Sequence, residues 1–130
     1  MNLQELATGI QHIGIPTDDI EKTVAFYAGL GFETLLRTKN EEANEPVAFL
    51  RLKNLTIETY ETRTATNRAG AVDHMALNVT NIDEAFRTAK TEGYSLLDSR
   101  VQFLPFWENG VKFFTIKGPN AEKIEFIQML

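Results

Sequence analysis

The chain has 130 residues, with 13 Lys+Arg against 18 Asp+Glu, a formal net charge of -5, no cysteine and two histidines. A hydrophobic share of 43% with 24% charged residues suits a soluble globular domain and argues against disorder or a fibrous fold. Lack of cysteine excludes thiolate zinc sites, iron–sulfur clusters and a cysteine nucleophile, so a transition-metal site would need His with carboxylates.

Basic residues are scattered and no run of them forms a stripe, which disfavours nucleic acid as a partner. No apolar run approaches the ~20 residues of a membrane helix. The start, Met1-Asn2-Leu3-Gln4-Glu5, lacks the pattern of a signal peptide. The expected location is the cytoplasm.

In chain order, residues 10–15 alternate and are rich in Ile, which predicts a strand. Asp18, with Glu21 three residues on, predicts a helix start of capping-box type. Ile20, Val24, Tyr27 and Leu30 follow at helical spacing, and Gly31 is the stop. Strands are expected at 32–37, 47–52 and 55–60, the last two joined by a tight turn at Lys53-Asn54. That turn pairs Leu52 with Leu55, Phe49 with Glu58 and Val47 with Tyr60. It puts Val47, Phe49, Arg51, Thr56, Glu58 and Tyr60 on one mixed face, and Ala48, Leu50, Leu52, Leu55 and Ile57 on an apolar one.

The same order then repeats. A strand at 72–79, a helix from about Asn81 to Glu92, and strands at 94–101, 111–116 and 123–128 are expected. Asn109-Gly110 signals a hairpin turn that would pair Phe106 with Phe113. Ile10-Gln11-His12-Ile13-Gly14-Ile15 matches Val72-Asp73-His74-Met75-Ala76-Leu77 at an offset of 62. Val47-Ala48-Phe49-Leu50 matches Val111-Lys112-Phe113-Phe114 at 64, and Ile57-Glu58 matches Ile124-Glu125 at 67. The chain therefore reads as one domain over 1–130, built from two βαβββ modules, about 9–61 and 71–130, with a polar linker at about 62–70.

The repeat makes His12 equivalent to His74 and Glu58 equivalent to Glu125. If a pseudo-twofold axis relates the modules, these four converge on it as ligands of one divalent metal ion such as Zn, Ni, Co, Mn or Fe. A Glu inside a strand is unfavourable by propensity, and finding one twice at the same place asks for a reason. Phe49, Phe106 and Phe113 are expected to wall a substrate cleft, and Arg51 on the same face could meet an anionic group.

These residues resemble the vicinal oxygen chelate superfamily, which includes glyoxalase I, methylmalonyl-CoA epimerase, extradiol dioxygenases, fosfomycin-resistance enzymes and bleomycin-binding proteins. The resemblance spans about Ile10 to Gln128. It rests on Gln11-His12-Ile13-Gly14-Ile15, Asp19-Ile20-Glu21-Lys22, Phe26-Tyr27, Leu30-Gly31-Phe32, Val72-Asp73-His74-Met75-Ala76 and Lys123-Ile124-Glu125-Phe126. It implies an α+β fold in which paired βαβββ modules form a cup-shaped mixed sheet, with helices outside, around the metal. Within that superfamily the set His12, Glu58, His74 and Glu125 looks most like bacterial glyoxalase I. The implied activity is a metal-dependent lyase or isomerase acting through an enediolate of a small substrate with adjacent oxygens, with Glu125 or Glu58 as base.

Two positions depart from the glyoxalase I pattern. Pro16 stands where an Arg holds glutathione, and Thr62 where an Asn is usual. The missing guanidinium removes a bidentate anchor, which leaves the thiol cosubstrate open. An epimerase of the same fold and a non-catalytic small-molecule binder are the alternatives. A homodimer is expected from exposed strand edges.

Overall fold

The computed structural model describes residues 2–130. After a single helical turn, α1 (Leu3–Leu6), the first half builds a four-stranded sheet and one long helix. The strands are β1 (Ile13–Thr17), β2 (Glu33–Asn40), β3 (Glu45–Leu52) and β4 (Leu55–Glu61), and the helix is α2 (Ile20–Gly29). Strand order is β1-β4-β3-β2. β1 runs parallel to β4 while the other neighbours are antiparallel.

The β3–β4 hairpin has the expected register, with Leu52 opposite Leu55, Phe49 opposite Glu58 and Val47 opposite Tyr60. Lys53 takes a positive φ of 54° to make the two-residue turn. Ala48, Leu50 and Ile57 on the apolar face are buried, and α2 lies against β3 and β4. β2 is the outer strand, exposed along its length, with a bulge between Thr34 and Leu36.

The helix begins one residue later than Asp18 would place it. Asp19 is the N-cap, its side chain accepting from the Lys22 backbone N–H at 3.1 Å. Glu21 is thereby free of a capping role and instead forms a two-bond pair with Arg37 of β2, at 2.7 and 3.3 Å. The Arg37 guanidinium holds the Glu21 carboxyl below its ordinary range.

The second half repeats this plan. It contains β5 (His74–Asn78), α3 (Ile82–Thr91), β6 (Ser95–Leu96), β7 (Gln102–Leu104), β8 (Val111–Lys117) and β9 (Lys123–Met129). The sheet order is β5-β9-β8-β6, with β7 also paired to β8. Asn81 caps α3 as Asp19 caps α2.

The single strand expected at 94–101 is divided into β6 and β7. Asp98 lies between them, and its carboxylate takes the Thr115 backbone N–H at 2.7 Å, which occupies a bond a continuous strand would have made. The turn near Asn109-Gly110 also differs. Residues 105–110 form one loop, so Gln102, not Phe106, stands opposite Phe113. Gly110 is needed here: its φ is +88°, and a Cβ would fall 2.5 Å from the Phe103 ring.

Glu125 stands opposite Thr115, and Phe113 stands opposite Ile127. When the halves are matched on their glutamates, Phe49 therefore corresponds to Thr115 and Arg51 to Lys117. The matching from sequence was two residues out on this strand. The chain divides into two compact units, one ending at Ala65 and the next beginning at Thr66. Among the described residues no helix is long and apolar enough to cross a membrane.

Candidate functional site

Parallel pairing of β1 with β4 sets Ile13 beside Ile57 and Gly14 beside Glu58. His12, just before β1, thereby comes within reach of Glu58, with Nε2 3.4 Å from Oε1. Phe49, opposite Glu58, meets the His12 ring edge-on at 5.6 Å and 86°. The other imidazole nitrogen, Nδ1, is in contact with the Gln11 side-chain oxygen.

The second half reproduces the pair. β5 and β9 set His74 beside Lys123 and Ala76 beside Glu125, and His74 Nε2 lies 3.1 Å from Glu125 Oε2. His74 Nδ1 is 3.0 Å from Asp73 Oδ2. Lys123 Nζ donates to the other Asp73 oxygen, also at 3.0 Å. The bonds from His74 and Lys123 hold the Asp73 carboxyl below its usual range.

Chemistry follows from which nitrogen carries the proton. An ionised carboxylate only accepts, so Asp73 takes the Nδ1–H of His74. A neutral His74 then turns its Nε2 lone pair toward a second carboxylate, Glu125. That arrangement is repulsive unless a cation lies between them, either a proton or a metal ion. Metal-binding histidines commonly donate their remote N–H to a carboxylate or carbonyl in this way. Nitrogen–oxygen donor pairs of this kind suit borderline divalent ions. Each half thus offers two donors, and among the described residues no group of three His, Asp or Glu is arranged to hold a metal.

An open cavity of about 290 Å³ surrounds the second pair. His74, Glu125, Asp73 and Lys123 form its polar side, and Leu97 and Phe113 its apolar side. Asp98 also reaches it, so carboxylates outnumber the one lysine and the cavity favours cations. Arg51 stands opposite Thr56 on the face that carries Glu58, exposed to solvent. Phe106 is 50% exposed in the β7–β8 loop and packs on Trp107 at 6.2 Å. It is not brought beside Phe113.

Sequence reasoning passed over Gln11 and Asp73, the acceptors behind the histidines. Neighbours on a strand point to opposite faces, which hides such a contact. Both residues precede their strands, where that alternation does not yet hold. The signal available was the repeat itself: each His follows a residue with a side-chain acceptor.

Comparison with known proteins agrees with this architecture. The Glyoxalase/Bleomycin resistance protein/Dioxygenase superfamily matches residues 11–115. The protein YwbC of Bacillus subtilis (strain 168) is 30% identical over 128 residues, 95% of this chain and 99% of its own. A glyoxalase family protein from Enterococcus faecalis superposes with a TM-score of 0.75 at 23% identity, covering 94% of this chain and 98% of that one. The fosfomycin resistance protein FosX from Listeria monocytogenes, complexed with Mn(II) and sulfate, gives 0.72 at 16% identity over 95% and 94%. These structural likenesses establish the fold. From its doubled βαβββ plan and the match along most of its length, the chain belongs to the glyoxalase/bleomycin resistance protein/dioxygenase superfamily.

Proposed function

We propose that the protein is a metal-dependent lyase or isomerase of glyoxalase I type. The ligands would be His12, Glu58, His74 and Glu125, one pair from each half, met either within one chain or across a homodimer. The observation that carries this reading is the doubled pair: each His turns one nitrogen to an acceptor and the other to a Glu. FosX in complex with Mn(II) is a member of the same fold that holds a divalent ion, which adds to the expectation of Zn, Ni, Co or Mn here.

A bound divalent ion supplies Lewis-acid polarisation of two adjacent substrate oxygens. The chain's own residues do the rest. Glu125, with 14% of its side chain exposed, or Glu58, with 28%, takes the proton from the carbon beside the carbonyl and returns it to the neighbouring carbon. Phe49 and Phe113 exclude water from the reacting atoms and strengthen each electrostatic contact. Arg51 and Phe106 would meet the more distant parts of a small substrate, which the cytoplasm would supply.

The test combines metal analysis with a substrate screen. Purified protein should carry near-stoichiometric divalent metal that is lost in the His12→Ala His74→Ala double variant. α-Ketoaldehyde thiol adducts and acyl-CoA epimers should separate glyoxalase from epimerase activity. Glu125→Gln or Glu58→Gln should lower turnover roughly 10²- to 10⁴-fold. Metal-free protein that still binds aromatic ligands would overturn the reading in favour of a sequestering protein.

A further inference from the structure

The two histidine pairs are alike, but what stands behind them is not. Behind His74 is a carboxylate, Asp73, itself held by an ammonium. Lys123 Nζ bonds one Asp73 oxygen at 3.0 Å, and the other oxygen takes the His74 Nδ1–H at 3.0 Å. The β5–β9 register makes this possible, because Lys123 is the direct partner of His74. Behind His12 is the amide of Gln11, a neutral group that offers no negative charge for a lysine to brace.

A carboxylate only accepts, whereas an amide presents an oxygen on one side and an NH₂ on the other. Asp73 therefore accepts only from a protonated Nδ1 and biases His74 toward that tautomer against the pull of Glu125 on Nε2, whereas Gln11 imposes no such bias on His12. The negative charge on Asp73 also raises the donor strength of the imidazole it bonds. We propose that Asp73, braced by Lys123, is a positioning residue. It fixes His74 with Nε2 bare toward Glu125, so that the second-half pair is the stronger metal anchor. This rests on the metal reading above.

The experiment uses the full chain in two measurements. Imidazole nitrogen-15 shifts are read in metal-free protein at a pH where both rings are neutral. Zinc affinity is read by competition with a chelator. His74 should be in the Nδ1–H form in the wild type. Asp73→Ala should move it toward the Nε2–H form, donating to Glu125, and weaken zinc about 10- to 100-fold. Asp73→Asn, which keeps an oxygen acceptor, should recover part of both effects, and Gln11→Ala should weaken zinc less than Asp73→Ala.

An Asp73→Ala protein with an unchanged tautomer and zinc affinity within about twofold of wild type would overturn the proposal, being well short of the loss expected for such a partner. Absence of zinc uptake by the wild type, with the tautomer change intact, would overturn the metal reading and support the hold of Asp73 on the ring.

Discussion

In the first half the large ring sits on the helix. Tyr27, the eighth residue of α2, is fully buried, edge-on to Phe26 and Phe32 at 5.0 and 5.1 Å. The sheet beneath carries a small residue, Ala48, also fully buried. In the second half the sizes are exchanged. The eighth residue of α3 is Ala89, and the strand position equivalent to Ala48 is Phe114, which is fully buried between Phe86 at 5.2 Å and Phe126 at 5.1 Å. Close packing demands a filled space between helix and sheet, not a particular donor of that volume. A repeat can therefore keep its backbone plan while its core residues diverge, provided that bulk moves from one layer to the other.

The sharpest way to break this comparison is to remove the bulk. Phe114→Ala should cost about 3–5 kcal/mol, as for other fully buried rings. Denaturant unfolding followed by circular dichroism measures it. Adding Ala89→Phe to that variant should regain a substantial part of the loss. If the double variant is as unstable as the single one, the exchange of layers is not what fills the space.

A second contrast lies at the helix starts. The Ile20 N–H of α2 donates to the Glu61 carboxylate at 3.0 Å, and the Ile82 N–H of α3 donates to the Gln128 amide oxygen at 2.8 Å. Glu61 and Gln128 are equivalent positions, three residues after Glu58 and Glu125. The charged acceptor should matter more, since it also faces the positive end of the helix dipole. Glu61→Ala should cost about 1.5–3 kcal/mol and Gln128→Ala about 0.5–1.5 kcal/mol. Equal losses would show that the charge adds nothing.

The smallest difference is at the surface. Glu21 pairs with Arg37 across to the sheet, whereas Glu84 pairs with Arg87 along its own helix at 2.6 Å. The Glu21 carboxyl is held low by Arg37, so the pair's stabilisation is present above the ordinary carboxylate range. It is lost as pH falls through that lowered value, where Glu21 becomes protonated in the folded protein. The Tm difference between wild type and Glu21→Gln should therefore be small at neutral pH and shrink in acid. A difference that persists in acid would place the effect elsewhere.

What could be read from the chain follows the range of the interactions. The Lys53-Asn54 turn is complete in two residues, so the whole register of its hairpin was legible, down to Phe49 opposite Glu58. Asn109-Gly110 has the composition of the same turn. It misled because Asn109 donates to the Leu130 carbonyl and the Gly110 carbonyl accepts from the Leu130 N–H, contacts made by a distant part of the chain. The histidines and glutamates were found because they repeat. The same repeat grouped them as two copies of one His–Glu pair, and parallel strands brought together by tertiary pairing make the contact within each. The caps from Glu61 and Gln128 were invisible because they lie 41 and 46 residues from the N–H groups they serve.

Trp107 has an optical consequence. The chain's one tryptophan sits on the β7–β8 loop with φ +57° and 69% of its surface exposed. Its indole is largely exposed to solvent when the protein is folded, so its emission should change little when the cores come apart. Dissolved quenchers reach it in the native state. Tryptophan fluorescence in this protein is a reporter of what settles on that loop, and unfolding has to be followed through the backbone or the tyrosines.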